Sequence, residues 1–312
     1  MEKKNYKKIV IVLLSILLIT GCTTQLKDSD NKTVQNPTTG QTLTKNILCK
    51  PEDEETLNLY VSNITDEDEV KKFSKLPLCK NFSITDGGYE GLWSTIIVKP
   101  LAWVIIQFGN FFKNYGVGLI ITSLLIRLIA FPLTRKTAMQ SELMKSAKPK
   151  LDRLEKKYEG KTDQQSMYLK SQEMMAIYRE FNISPFSGCL FALIQIPLFI
   201  GFLESINRVP AIFEETFLGL QLGTTPMTDL SNGNFLYLIL AIIVGVTTYF
   251  SLTLNSASNP DNAQMKTMTR VMFIMILFTS FFMTSALNVY WVTTNLFTVV
   301  QNLLVKRKKE KV

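Results

Sequence analysis

The chain contains no histidine. That absence excludes an H-E-x-x-H zinc site, a Ser-His-Asp triad and an imidazole proton shuttle. No G-x-S-x-G nucleophile elbow is present, and the apolar runs carry no pair of aspartates for acid–base work. Charge is also scarce: 19% of residues are Asp, Glu, Lys or Arg, against 46% hydrophobic. Several of the apolar runs exceed what a soluble core needs. These gaps favour work done by shape and electrostatics over catalysis. The chain reads as a non-enzyme without a cofactor.

What is present begins with a targeting device. Lys3, Lys4, Lys7 and Lys8 form a basic start, and residues 9–20 form an apolar stretch too short to span a bilayer. Ile19-Thr20-Gly21-Cys22 follows, which resembles the lipobox of bacterial lipoproteins. On that reading residues 1–21 are a cleaved signal peptide. Cys22 is then the lipid attachment site, carrying diacylglycerol outside the membrane. Residues 22–91 are polar, with acidic clusters at 52–55 and 66–69, and read as an extracellular tether or small lobe. The part before Cys49 reads as the flexible portion. Cys49 and Cys79 are thirty residues apart; the spacing admits a disulfide and equally two unpaired thiols. Cys189, in an apolar span, reads as a small core residue.

From residue 92 the pattern becomes helical. Trp93, Ile97, Leu101, Val104, Phe108 and Phe111 recur on one face of 92–112, broken by Lys99, Gln107 and Asn110. This predicts an amphipathic helix lying in the outer interface. Apolar runs at about 116–134, 185–206 and 234–255 predict three spans. The run 271–305 is too long for one span and short for two. Ser285-Ala286-Leu287-Asn288 offers a polar break, giving spans 271–286 and 288–305. Charge favours two. The tail Lys306-Arg307-Lys308-Lys309-Glu310-Lys311 is net +4, and 135–180 is also net +4, from eleven Lys or Arg and seven Asp or Glu. The positive-inside rule puts both in the cytoplasm, which five spans after an external Cys22 allow and four do not. Residues 135–181 pattern as a helical hairpin with a stop at Glu159-Gly160-Lys161. Thr162 and Gln165 form a capping box. Few apolar residues mark it, so charge pairs are expected to hold it. The predicted class is an all-α polytopic membrane protein with a core over 92–308 and a basic tail, 306–312.

One residue is out of place in this solvent. Arg127 lies about eight residues from the cytoplasmic end of its span, roughly 10 Å deep at 1.5 Å per residue. A charge near mid-membrane costs at least about 2.5–3.5 kcal/mol. Snorkelling to the headgroups is the simpler account. The other spans argue against it. Asn288, Trp291, Asn295, Thr298 and Asn302 recur at intervals of 3, 4, 3 and 4, on one helical face. Thr247, Thr248 and Ser251 mark another span, Gln195 a third, and Ser123 sits one turn before Arg127. Polar groups avoid lipid, so these are expected to converge on one another or on water. Interhelical hydrogen bonds as packing glue would account for the neutral groups alone.

At these residues the chain resembles the YidC family of membrane protein insertases, in its Gram-positive lipoprotein form. Gly116 through Arg127 with Pro132-Leu133 is similar to the family's Arg-bearing span. Gly188-Cys189-Leu190 with Gln195-Ile196-Pro197 resembles its second, and Tyr290-Trp291-Val292 with Asn295 and Gln301 its last. The likeness covers 92–308. Phe191 departs from it, where many relatives have Pro. The resemblance implies a hydrophilic, positively charged groove open to the cytoplasm and to lipid, and closed outside. Arg127 would attract acidic residues in a substrate's translocated tail. Ser123, Gln195, Trp291 and Asn295 would line the groove, and the polar faces add Thr247 and Thr298. The implied partners are nascent membrane proteins, with ribosomes and targeting machinery meeting the basic hairpin and tail. The Sec translocon and membrane lipids are further candidates. A small-anion transporter or channel using Arg127 is the competing reading, and the spans lack the inverted repeats it would favour.

Overall fold

The computed structural model describes residues 23–184, 187–255 and 263–309, and within these leaves out the side chains of 187–194, 255, 263–266, 268 and 306–309. The signal and Cys22 lie outside the described residues, as do the side chains of Cys189, Phe191 and the basic tail. The chain forms two compact units. The first comprises Met1–Ser123, Ile196–Leu240 and Phe282–Tyr290; the second comprises Leu124–Gln195, Ala241–Phe281 and Trp291–Val312.

The first unit corrects the flexible-tether reading. Residues 25–44 are drawn together by bridges pairing Gln25 with Thr44, Lys27 with Thr33 and Gln35 with Thr42. Leu26, Val34, Leu43 and Ile47 bury themselves against Tyr60 of helix α1, Glu54–Asn63, and against Ile64, which caps its C-terminus. Their irregular spacing hides this core, because each finds its partner through a turn or a distant helix. The two acidic clusters are helix starts. Asp53 accepts the Thr56 N–H, and Asp66 accepts those of Asp68 and Glu69 at the head of α2, Glu67–Ser74. Carboxylates there satisfy free N–H groups and complement the helix dipole. Cys49 and Cys79 are joined in a disulfide, which settles the alternative left by their spacing.

A π-helical turn, Ser94–Val98, leads into α3, Lys99–Phe112, with Pro100 in the first turn, where its missing N–H costs nothing. Lys113 takes a left-handed conformation, and α4 starts at Tyr115. The two helices meet closely: a Cβ on Gly118 would fall 2.5 Å from the Ile105 carbonyl oxygen and 2.6 Å from the Gly109 nitrogen. Only glycine allows that approach. After α5, Gln164–Glu180, come α6, Ser187–Asn207, and the short α7, Pro210–Glu214. A two-residue hairpin follows, β1 Thr216–Phe217 and β2 Leu220–Gln221, then α8, Pro226–Ser231. The chain ends in α9, Leu236–Asn255, α10, Ala263–Ser280, and α11, Ser285–Lys309.

Three boundaries differ from the sequence expectation. The α4 helix runs unbroken over Tyr115–Lys157, with Pro132 and Pro149 inside it, so the span and the first hairpin arm are one helix of 43 residues. At 1.5 Å per residue that is roughly 65 Å, about twice a bilayer's hydrocarbon thickness. The α5 cap is Asp163, accepting the Ser166 N–H at 2.7 Å, in place of Thr162. The turn before the last helix is 281–284, four residues earlier than the polar break suggested. Ser285 instead begins α11, because loop carbonyls take its terminal N–H groups: Ser285 N–H and Oγ–H reach Thr224 O, and Ala286 N–H reaches Leu222 O.

The hairpin also has the core that its sequence seemed to lack. Ala147, Leu151 and Ile183 are buried, with Leu143, Met174, Ile177, Tyr178 and Phe181 against them. Ion pairs flank it: Lys150 with Glu180, and Lys157 with Glu173 at 2.6 Å.

Among the described residues, three helical stretches are long and apolar enough to cross a membrane: Ser94–Phe112, Tyr115–Lys157 and Leu236–Leu254; Thr269–Ser280 is a shorter apolar helix. On α4, α9 and α11 the polarity is inverted relative to a soluble protein. On α4, Leu125, Leu128 and Ile129 are exposed while Thr122, Ser123 and Arg127 are buried. On α9, Ile242, Val246 and Phe250 face out and Thr247, Thr248 and Ser251 face in. On α11, Leu296, Val300 and Leu303 are outward and Thr294, Thr298, Gln301 and Asn302 inward. Apolar outside and polar inside is the arrangement lipid selects.

Candidate functional site

In the second unit α4, α9 and α11 each contribute one polar face. Arg127 is 5% exposed. One turn earlier Ser123 is fully buried and donates its hydroxyl to Leu119 O at 2.7 Å. On α9 the Thr247 hydroxyl turns back to Ile243 O at 2.7 Å, while its neighbour Thr248 accepts a hydrogen bond from Asn295 Nδ2 at 2.8 Å. On α11 Thr298 donates to Thr294 O at 2.8 Å and Asn302 to Thr298 O at 2.9 Å. A second cross-helix bond joins Gln301 Nε2 to Thr134 Oγ1 at 3.0 Å, beside an edge-to-face contact of Phe131 with Phe297.

The structure therefore brings one of the sequence candidates, Asn295, against Thr248 at an α9–α11 seam, while Thr247 is buried on α9 and bonded within its own helix. Thr298 lies on the buried face of α11, and Trp291 is half-buried on the same helix. Gln195 is half-buried and makes no hydrogen bond to a described residue. Most hydroxyls here are satisfied by carbonyls of their own helix. That economy leaves the carboxamides as the groups that tie helix to helix. Chemically, α4 carries a buried cation, and the α9–α11 seam carries neutral donors and acceptors.

The first unit holds charged residues that the sequence reading passed over as interruptions. Arg208 is 2% exposed. Its Nε donates to Asn46 O at 2.6 Å, one terminal nitrogen donates to Ser94 Oγ at 2.7 Å, and the other is bonded to the Glu90 carboxylate. Lys99, fully buried, donates to Asp86 O at 2.7 Å and Gly88 O at 2.6 Å and lies 3.6 Å from Glu90. Burial raises the Glu90 carboxyl, but the hydrogen bond and charge of Arg208, with Lys99 and Ser94 adding, outweigh it and hold the group below its ordinary value. The signal for this cluster was a lysine in an apolar helix and an arginine closing an apolar span.

A family model described as 60Kd inner membrane protein matches residues 107–312. The chain is 38% identical over 226 residues to membrane protein insertase YidC 2 of Listeria innocua, covering 70% of this chain and 75% of that protein. It is 36% identical over 221 residues to membrane protein insertase YidC of Oceanobacillus iheyensis, covering 70% and 85%. It is likewise 36% identical over 216 residues to membrane protein insertase MisCA of Bacillus subtilis, covering 69% and 79%. Among solved structures, a crystal structure of an active YidC insertase with its first transmembrane domain resolved aligns with TM-score 0.51 at 23% identity. That alignment covers 75% of this chain and 50% of the other, and it shows a shared fold.

Proposed function

This chain belongs to the 60Kd inner membrane protein family, the YidC insertases, and on that premise we propose that it inserts nascent membrane proteins by drawing their polar tails along the face marked by Arg127. It is a multi-pass membrane protein and a membrane protein insertase. The observation that carries the proposed mechanism is Arg127 itself, buried on a helix whose other faces are Leu and Ile. A cation held out of water is attracted to an acidic tail far more strongly than a solvated one. Ser123, Thr247, Gln195, Trp291, Asn295 and Thr298 would offer the tail's backbone hydrogen bonds while the apolar helix faces meet its hydrophobic segment.

The finer topology belongs to the same proposal. Five spans set a basic C-terminus in the cytoplasm, and Cys22 carries lipid outside. The basic hairpin and tail are suited to ribosomal RNA phosphates and targeting machinery, with the Sec translocon as a further partner. The reading of 92–112 as interfacial rests on its amphipathic pattern, and both ends of α3 are tied to the segment 80–88. Lys99 reaches Asp86 O and Gly88 O, and Asn110 Nδ2 reaches Lys80 O at 3.0 Å.

The test is depletion of the protein in cells followed by protease mapping of short-tailed membrane substrates. The tails should remain cytoplasmic and protected, and re-expression should restore their exposure outside. Unchanged exposure on depletion contradicts the reading.

A further inference from the structure

Apart from the Arg127 face, the first unit contains a partly open cavity of about 190 Å³. That is room for about six waters at roughly 30 Å³ each. Among the described residues its lining includes the carboxylates of Asp53, Glu55 and Glu214 and the carboxamides of Gln41, Asn207 and Gln221, and no Lys or Arg. Two of the carboxylates have local duties. Asp53 accepts from Thr56 N–H at 2.8 Å, and Glu55 accepts from Thr38 Oγ1 at 3.0 Å.

Glu214 and Gln41 are different. Glu214 Oε2 accepts the Glu52 N–H at 3.0 Å, while its Oε1 is shut off from solvent and has no hydrogen-bond partner among the described residues. Burial pushes this carboxyl above its ordinary value, and the backbone N–H groups of Glu52 and Asp53 offset that only in part. Gln41 is 9% exposed and lines the cavity, yet its side-chain amide makes no hydrogen bond to a described residue. The residue is held by its surroundings while its amide stays open to the cavity, a place where a ligand's polar group fits. Together, among the described residues, the cavity lining carries carboxylates without a Lys or Arg and an amide without a protein partner.

We propose that this cavity binds a small organic cation with several N–H donors, an alkylammonium or guanidinium head group. Its positive charge offsets Glu214, and its N–H groups bond the Gln41 carbonyl. The head group comes either from a free amine or from a Lys or Arg side chain of a polypeptide.

The experiment uses the full chain in lipid nanodiscs, titrated with n-butylammonium and methylguanidinium. n-Butanol and N-methylurea serve as neutral counterparts, and binding is read by ligand-observed NMR and calorimetry. The cations should bind and the neutral molecules should not. Glu214→Gln keeps an oxygen for the Glu52 N–H, and Gln41→Leu keeps the side-chain bulk. Each should weaken cation binding about tenfold or more, with the thermal midpoint compared to confirm folding. A Lys-containing peptide and its acetyl-lysine form complete the series. Tighter binding of the Lys peptide than of butylammonium assigns the site to polypeptide, and the reverse order to free amines. Equal binding of cations and neutral counterparts, equal binding by both variants and the parent, or no binding of either cation overturns the proposal.

Discussion

A guanidinium withdrawn from water needs a partner for each face of its fork, and Arg208 has one in Asn46 O, Ser94 Oγ and the Glu90 carboxylate. Removing the charge of Glu90 leaves two buried cations, Arg208 and Lys99, facing a neutral group. Breaking such a pair is strongly destabilising, so Glu90→Gln should cost roughly 2–4 kcal/mol, read by denaturation of the purified protein in detergent. The pH dependence has a definite sign. Glu90 is held below its ordinary value of 4.5, so its contribution is complete above that pH and is lost as pH falls through the depressed native value. The gap between parent and Glu90→Gln should therefore be constant at neutral pH and close in strong acid. A gap that closes as pH rises would overturn this account. These residues also show what single positions disclose. Arg127 was legible because its anomaly is local, a charge amid Leu and Ile in one helix. Arg208 was not, since its partners Glu90 and Ser94 lie 118 and 114 residues away.

At the scale of elements, α4 and α11 carry the consequences of building in lipid. Gly118 lets α3 and α4 touch at the backbone, so Gly118→Val would drive side-chain carbons against Ile105 O and Gly109. Overpacking of this kind costs about 1–3 kcal/mol. The expected readout is a lowered thermal midpoint, with Gly91→Ala, which meets nothing within 4 Å but has a φ of +90°, giving the cost of backbone strain alone. On α11 the faces predict opposite responses. Val300 is 55% exposed, and Val300→Asp would put a carboxylate in hydrocarbon. Its penalty should approach 2.5–3.5 kcal/mol, the rough value for mid-membrane charge, visible as reduced membrane integration. Normal integration of that variant would mean that the face does not meet lipid. Helix existence and the polar faces were readable from 3.6-residue spacing. Helix limits were not: α4 runs on past residue 134, where the span was expected to give way to the hairpin, and Ser285 starts a helix because distant carbonyls of Thr224 and Leu222 complete it.

For the whole molecule, the membrane class followed from composition, whereas the folded lobe did not. Leu26, Val34, Leu43 and Ile47 follow no helical or strand period, and they become a core only against Tyr60 and Ile64. The central claim about the whole is electrostatic, that a buried cation on α4 guides acidic tails across. It is tested most directly by measuring insertion, in proteoliposomes, of a substrate series whose translocated tail carries none, one or two acidic residues. Parent, Arg127→Ala and Arg127→Lys are compared at equal incorporation. The account predicts that Arg127→Ala loses insertion of the acidic tails, by about tenfold for a 1.4 kcal/mol loss of attraction, and affects the neutral tail less. Arg127→Lys, which keeps a positive charge, should retain most of it. Equal insertion of the acidic-tailed substrates by the parent and by Arg127→Ala would contradict the claim.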